Sequence, residues 1–163
     1  MPQGINSIKT MNKHIDWIKN TRLSLLQLVA PLTMQQLNEV PAGFNNNIIW
    51  NLAHLVAVQQ ALCYLRSSVS PVVDEQYIRL YMKGTKPQDV VEAAEIVAIK
   101  ETLVSSLDRF ALDYQKSLFN NYQSWTTPFD TELGTIDDAI IFLQFHEGLH
   151  YGYVMALKRL VSK

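Results

Sequence analysis

The chain has 163 residues, a formal net charge of −1, and contents of 48% hydrophobic and 18% charged residues. These values are typical of an ordinary globular protein rather than a disordered one, and we place one domain over residues 1–163. A nucleic-acid-binding surface would need clustered Lys and Arg, and a secretory signal would need a less polar start than MPQGINSIKT, so neither is expected. The longest apolar stretch, IIWNLAHLVAV, is about half as long as a membrane span, and the single cysteine excludes an internal disulfide. We therefore expect a cytoplasmic protein.

The first predicted element is a helix over residues 8–29, where apolar residues recur at steps of three, four or seven. Asn6 or Ser7 is placed to cap its start, and Pro31 is expected to end it.

The second predicted helix is the most apolar part of the chain. A short helical turn precedes it, because Thr33 and Gln36 form a capping-box pattern, and the loop EVPAGFNNN follows that turn. The helix itself is predicted from Asn46 or Asn47 to Arg66. Apolar residues surround most of its circumference, which is typical of a helix buried between others.

Residues 71–87 are expected to be irregular, with a short helix at EQYIRLYM. A third long helix is predicted from Gln88 to Leu118, with Pro87 suited to its first turn. Its apolar stripe is predicted to comprise Val90, Ala94, Val97, Val104, Leu107, Ala111, Tyr114 and Leu118.

The last helix is predicted to start after Thr135, with Asp138 as its capping partner, and to end near Leu160. No alternating strand pattern, internal repeat or Gly-rich phosphate loop is evident. Four principal helices predict an all-α fold, a four-helix bundle with two longer connections, one of which can serve as a crossover.

Three of the four histidines fall where they could share one metal ion. His146 and His150 are four residues apart, about 40° around a helix axis, and lie near its apolar stripe, while His54 lies in the middle of the most apolar helix. Unpaired buried imidazoles are costly, so a shared divalent metal with an open fourth position is economical. The alternative is a set of tolerated core or surface histidines. His14 is interpreted as a boundary or surface residue.

The stretch HEGLH also matches the zinc-protease pattern H-E-x-x-H, but a protease is disfavoured. The 13 residues after His150 contain no Asp, Glu or His to complete such a site. Glu147 is a candidate catalytic base, a residue that orients a ligand, or a solvated glutamate. Gly148 suggests the close approach of a neighbouring helix.

Three segments carry a resemblance to a known family: LTMQQLNEVPAGFNNNIIWNLAHL, YIRLYMKGTKP and FLQFHEGLHYGYVMALKR. Together they resemble the DinB/YfiT-like superfamily of small bacterial four-helix-bundle proteins, described as metal-dependent hydrolases. The resemblance implies that His54, His146 and His150 are the metal ligands. Family members often carry Arg and Gln around the glycine of the last helix, whereas here Tyr151 and Tyr153 flank that glycine, which alters the pocket.

The resemblance implies an enzyme that uses a divalent metal to activate a low-molecular-weight thiol for transfer, or water for hydrolysis, on a small-molecule substrate. Zinc or nickel is expected first, with iron or manganese as alternatives. A possible homodimer is implied as well, and no membrane or nucleic-acid partner. The alternative function is a non-catalytic, metal- or small-molecule-binding stress-response bundle.

Four further residues are candidates around the metal. Arg22 lies within the apolar stripe of the first helix and could hold an anionic substrate, reach the surface along its stem, or pair with a carboxylate. Asn51 could orient a ligand or simply pack between helices. Trp50 and Tyr153 could line the pocket, the alternative being that aromatic residues at helical spacing belong to the core. Cys63 is about 180° around the helix from His54 and is expected to be an inert buried thiol.

Overall fold

The computed structural model describes residues 5–162, with side chains from residue 9 onward. Four long helices carry the fold and shorter elements join them. The elements are α1 (Ile5–Val29), α2 (Met34–Asn38), α3 (Ile48–Gln59), α4 (Glu75–Tyr81), α5 (Ala93–Gln115), β1 (Trp125–Thr126), β2 (Glu132–Leu133) and α6 (Ile136–Val161). The predicted all-α four-helix bundle is confirmed, since α1 packs on α5 and α6, and α3 packs on the same two helices.

Two apolar clusters fill the bundle, one toward each end. One contains the end of α1, the start of α3, the start of α5 and the end of α6. The other contains the start of α1, the end of α3 and the residues that continue it, the end of α5 and the start of α6. Accordingly α1 and α6 run in one direction and α3 and α5 in the other. Residues 68–92, between the parallel α3 and α5, form the crossover and carry α4 back along α3.

Most of the predicted helix caps are confirmed, and the cap predicted for α1 is wrong. The capping boxes of Thr33 with Gln36 and of Thr135 with Asp138 both form, and Asn47 caps α3 by accepting from the backbone N–H of Trp50. The predicted cap of α1 at Asn6 or Ser7 is wrong, because that helix already begins at Ile5.

The prediction for α5 was wrong in its bounds and in the buried face of its first half, whereas Leu107 and Tyr114 of the predicted stripe are buried. The helix begins at Ala93 rather than Gln88, because the Asn38 side chain bonds both the N–H and the C=O of Val91 and holds that residue outside the helix. In its first half the buried residues are Ile96, Ile99 and Leu103, whereas Val97 is 54% exposed. Apolar residues occupy two faces of this segment, and packing against α1 and α3 selects one of them.

The α3 segment is long and apolar enough, by length and composition alone, to cross a membrane over Ile48–Ser67. However, 89% of its most apolar window is buried inside the bundle, which is typical of the core helix of a soluble protein. The sequence did not reveal that its last turns change geometry, to a π-helix over Gln60–Tyr64 and a 3₁₀ turn over Leu65–Ser67.

The connection between α5 and α6 contains a small antiparallel pair of strands that the sequence pattern did not predict. Trp125 pairs with Leu133 and Thr126 with Glu132. Strands of two residues are too short to show an alternating pattern.

Candidate metal centre

Three histidine side chains converge near the middle of the bundle, one from α3 and two from α6. His54, His146 and His150 each offer a ring nitrogen, and these atoms lie within 4.8 Å of one another. The ring centroids are 5.2 Å apart for His54 and His146, 4.7 Å for His54 and His150, and 4.5 Å for His146 and His150. The four-residue spacing on α6 places both of its rings toward α3, as the helical period requires.

Hydrogen bonds fix the tautomers of two of these rings. The Nδ1 of His54 lies 2.5 Å from the carbonyl oxygen of Tyr81, which can only accept. The Nδ1 of His150 lies 2.7 Å from Oδ1 of Asn51. The amide of Asn51 is oriented in turn, because its Nδ2 donates to the carbonyl of Asn47 at 2.7 Å and to Oδ1 of Asn46 at 3.0 Å. Both Nδ1 atoms therefore carry the proton, which leaves the Nε2 lone pairs free for a cation.

The third ring has a buried nitrogen without a partner. Nδ1 of His146 forms no hydrogen bond among the described residues. Burial, reinforced by His150 and His54, lowers the pKa of His146 to about 2. Burial, with His54 nearby, lowers the pKa of His150 to about 4. Burial also lowers the pKa of His54, although its bond to Tyr81 opposes this shift.

The three imidazoles are therefore neutral at neutral pH, which is the state in which histidine binds a metal. Neutral nitrogen donors suit zinc, nickel, copper or iron. The donor set, the fixed tautomers and the orphaned nitrogen of His146 all fit a divalent transition metal.

Trp50 and Tyr81 both hold the ring of His54 in place, Trp50 by stacking and Tyr81 through its carbonyl. The Trp50 indole stacks on it at 4.6 Å between centroids and an interplanar angle of 13°. The indole N–H donates to Oγ1 of Thr85 at 3.2 Å. Trp50 and Tyr81 also line a cavity of about 160 Å³ on the side of the crossover. His54 is thus held by α3 and the crossover together.

Arg22 and Glu147 form an ion pair in the centre of the bundle. Their side chains are 0% and 1% exposed, and Nη2 of Arg22 lies 2.6 Å from Oε1 of Glu147. Burial raises the pKa of the Glu147 carboxyl, and the guanidinium opposes that rise. Of the sequence interpretations, the solvated Glu147 and the surface-reaching Arg22 are wrong, because neither side chain reaches water. The pairing of Arg22 with a carboxylate is what the structure shows.

The remaining residues singled out in the sequence have other contacts or surroundings. Tyr153 packs edge-on against Phe44, with 5.5 Å between ring centroids. Cys63 is fully buried, and burial raises the pKa of its thiol, as expected of an inert cysteine. His14 is half-buried, and its Nδ1 lies 3.1 Å from Oε1 of Gln144. The close approach expected at Gly148 is wrong, since a Cβ there would meet nothing within 4 Å.

Sequence reasoning missed two groups that orient the histidines. The Tyr81 carbonyl is a backbone atom of a distant segment, so no residue type signals it. Asn46 was visible only as a possible helix start, and its part in fixing the amide of Asn51 depends on the turn that precedes α3. The asparagine run NNN was the available signal for that turn.

Comparison with protein families shows that the model of the DinB superfamily matches residues 18–154, which is most of the chain and includes all three histidines. Comparison with curated proteins gives no match.

Proposed function

Because the chain belongs to the DinB superfamily, we propose that it is a metal-dependent enzyme whose His54, His146 and His150 hold one divalent cation. The observation that carries the proposal is the convergence of three neutral imidazoles, two of them with tautomers that leave Nε2 free. Zinc or nickel is the expected metal, with iron or manganese as alternatives.

The proposed reaction is transfer of a low-molecular-weight thiol to a small-molecule substrate, or hydrolysis of such a substrate. A cation bound to three neutral ligands would supply Lewis-acid chemistry, lowering the pKa of a coordinated thiol or water so that a nucleophile exists near neutral pH. The protein's own part is to keep the imidazoles unprotonated and oriented, through Asn51 and the Tyr81 carbonyl. We assign no proton transfer to Glu147, because its Oε1 is engaged by Arg22 and its Oε2 is sealed from water.

Metal analysis of natively purified protein tests the ligand set. Wild type is expected to carry about one divalent metal per chain, and His54→Ala to lose it, because two imidazoles hold a transition metal far less tightly than three. His14→Ala is the matched control, since this histidine bonds Gln144 and lies outside the triad. Full metal content in His54→Ala would contradict the proposed site.

Activity is tested by comparing metal-depleted with metal-loaded protein in screens for thiol transfer and hydrolysis. Activity is expected only in the loaded form and to be lost in His54→Ala. Equal behaviour of both forms in every screen would contradict the enzymatic proposal and favour the alternative, a non-catalytic metal- or small-molecule-binding stress-response bundle. The observation that supports this alternative is the burial of His54, which is only 5% exposed.

A cytoplasmic location and a homodimer are part of the same proposal and rest on the sequence expectations alone. Sedimentation of the purified protein would test the dimer.

A further inference from the structure

The ion pair in the centre of the bundle has a further role. We propose that Arg22 and Glu147 are positioning residues of the candidate metal centre, setting the distance and the rotation between α3 and α6 that bring the three histidines together. The inference rests on the proposed metal site and adds residues that do not bind the metal themselves.

The geometry of the guanidinium carries the inference. Nη2 of Arg22 donates both to the carbonyl of Leu55 at 2.9 Å and to Oε1 of Glu147 at 2.6 Å. Leu55 directly follows His54 in the chain, and Glu147 directly follows His146. A single nitrogen from α1 therefore joins the neighbour of the α3 ligand to the neighbour of an α6 ligand.

The other donors of Arg22 fix the guanidinium itself. Nε also donates to Oε1 of Glu147 at 2.9 Å, while Nη1 donates to the carbonyl of Leu103 at 3.0 Å and contacts Oγ of Ser106 at 3.5 Å. Its contacts therefore reach α3, α5 and α6 from α1. The planar, rigid fork of arginine transmits this geometry in a way that the flexible ammonium of lysine would not.

Stability alone is a poor explanation for the pair. Desolvating two charges is costly, and apolar residues of similar volume often stabilise a core equally well or better. The pair lies between two apolar clusters, so apolar residues in its place would join them. What an apolar pair could not do is fix the rotation of α6, and one residue of rotation, about 100°, would turn both of its histidines away from His54.

The test separates positioning from stability by replacing the pair with apolar residues. Metal-free Arg22→Met/Glu147→Leu protein is expected to unfold at a temperature close to that of wild type. Its Kd for Zn²⁺, measured by competition with a chromophoric chelator, is expected to rise about 10–100-fold, the range seen when residues that orient metal ligands are lost. The Co²⁺-loaded variant should also show an altered d–d absorption spectrum, which reports ligand geometry directly.

Asp113→Asn is the matched control. This carboxylate is also buried, pairs with Arg109 and accepts from Tyr64, but it belongs to the end of α5 and has no contact with the triad. The control is expected to lower the unfolding temperature while keeping the wild-type Kd and Co²⁺ spectrum.

Wild-type Kd and Co²⁺ spectrum in the folded double variant would overturn the inference. Should that variant fail to fold, Arg22→Lys, which keeps the positive charge but loses the planar fork, decides by the same two measurements. Absence of Zn²⁺ binding in wild type would be a different result: it would overturn the proposed function, and the inference with it.

Discussion

At the scale of single residues, the two nitrogens of a histidine ring have separate roles at this site. The Nδ1–H groups of His54 and His150 each donate a hydrogen bond to an oxygen atom. The oxygen of Asn51 differs from that of Tyr81 because it belongs to a side chain, and two further hydrogen bonds are needed to keep it turned toward His150. Replacing Asn51 should therefore remove the hydrogen bond that orients the His150 ring, while all three metal-binding histidines remain.

We accordingly expect Asn51→Leu to weaken Zn²⁺ binding by about 10–100-fold, since the loss of a partner that orients a metal-binding histidine has effects of this size. Competition titration against a chelator would measure the change. Asn45→Leu, an exposed loop position close by in the chain, is the control and should leave the Kd unchanged. A wild-type Kd in Asn51→Leu would show that the hydrogen bond to His150 is dispensable.

At the scale of elements, α6 contributes two of the three rings, and its start is fixed far from them. The Thr135 hydroxyl oxygen accepts a hydrogen bond from the backbone N–H of Asp138. The Asp138 carboxylate in turn accepts one from the backbone N–H of Thr135. The acidic residues of this first turn also suit the positive end of the helix dipole. The cap lies about three turns before the first ligand at His146, so it should affect stability rather than the metal centre.

Thr135→Ala is expected to lower the free energy of unfolding by about 1 kcal/mol, the usual cost of losing a Thr cap. Urea unfolding followed by circular dichroism would measure this loss. Thr131→Ala, in the hairpin before α6, removes only a long contact of 3.5 Å to Phe129 and should change the free energy less. A changed Zn²⁺ affinity in Thr135→Ala would show that the start of α6 and the metal centre are coupled.

At the scale of the whole molecule, burying three neutral imidazoles makes the stability of the metal-free protein depend on pH. Burial lowers the folded-state pKa of all three, to about 2 for His146 and about 4 for His150, from an ordinary value of 6.5. Below about pH 6.5 the unfolded chain therefore binds protons that the folded chain excludes. The sign follows from this difference: stability is complete above that pH and falls as the pH falls through 6 toward 4.

Between pH 7.5 and 5.5 we expect metal-free wild type to lose about 1 kcal/mol for each imidazole that stays neutral when folded. Urea unfolding at the two pH values would measure the loss. In His146→Leu the loss should be smaller by one imidazole, and comparing the two proteins cancels the contribution of other titrating groups such as Glu147. An equal loss in both proteins would mean that His146 takes up its proton in the folded state.

The sequence by itself determined the helices, most of their caps and the residue types of the site. These features depend on contacts within a few residues: the helical period groups His146 with His150, and Asn47, Thr33 and Thr135 cap their own helices. Local patterns also placed His54 on a buried helix, which made a shared metal ion an economical prediction.

Only the tertiary structure decided which face of α5 is buried, which carbonyl orients His54, and where the charges of Arg22 and Glu147 go. The physical reason is the same in each case. Residues 96 and 97 are both apolar, the Tyr81 carbonyl exists whatever the side chain, and an arginine in an apolar stripe can pair with any buried carboxylate. Such choices are made by partners distant in sequence, through burial and hydrogen bonding, and they appear only when the four helices pack together.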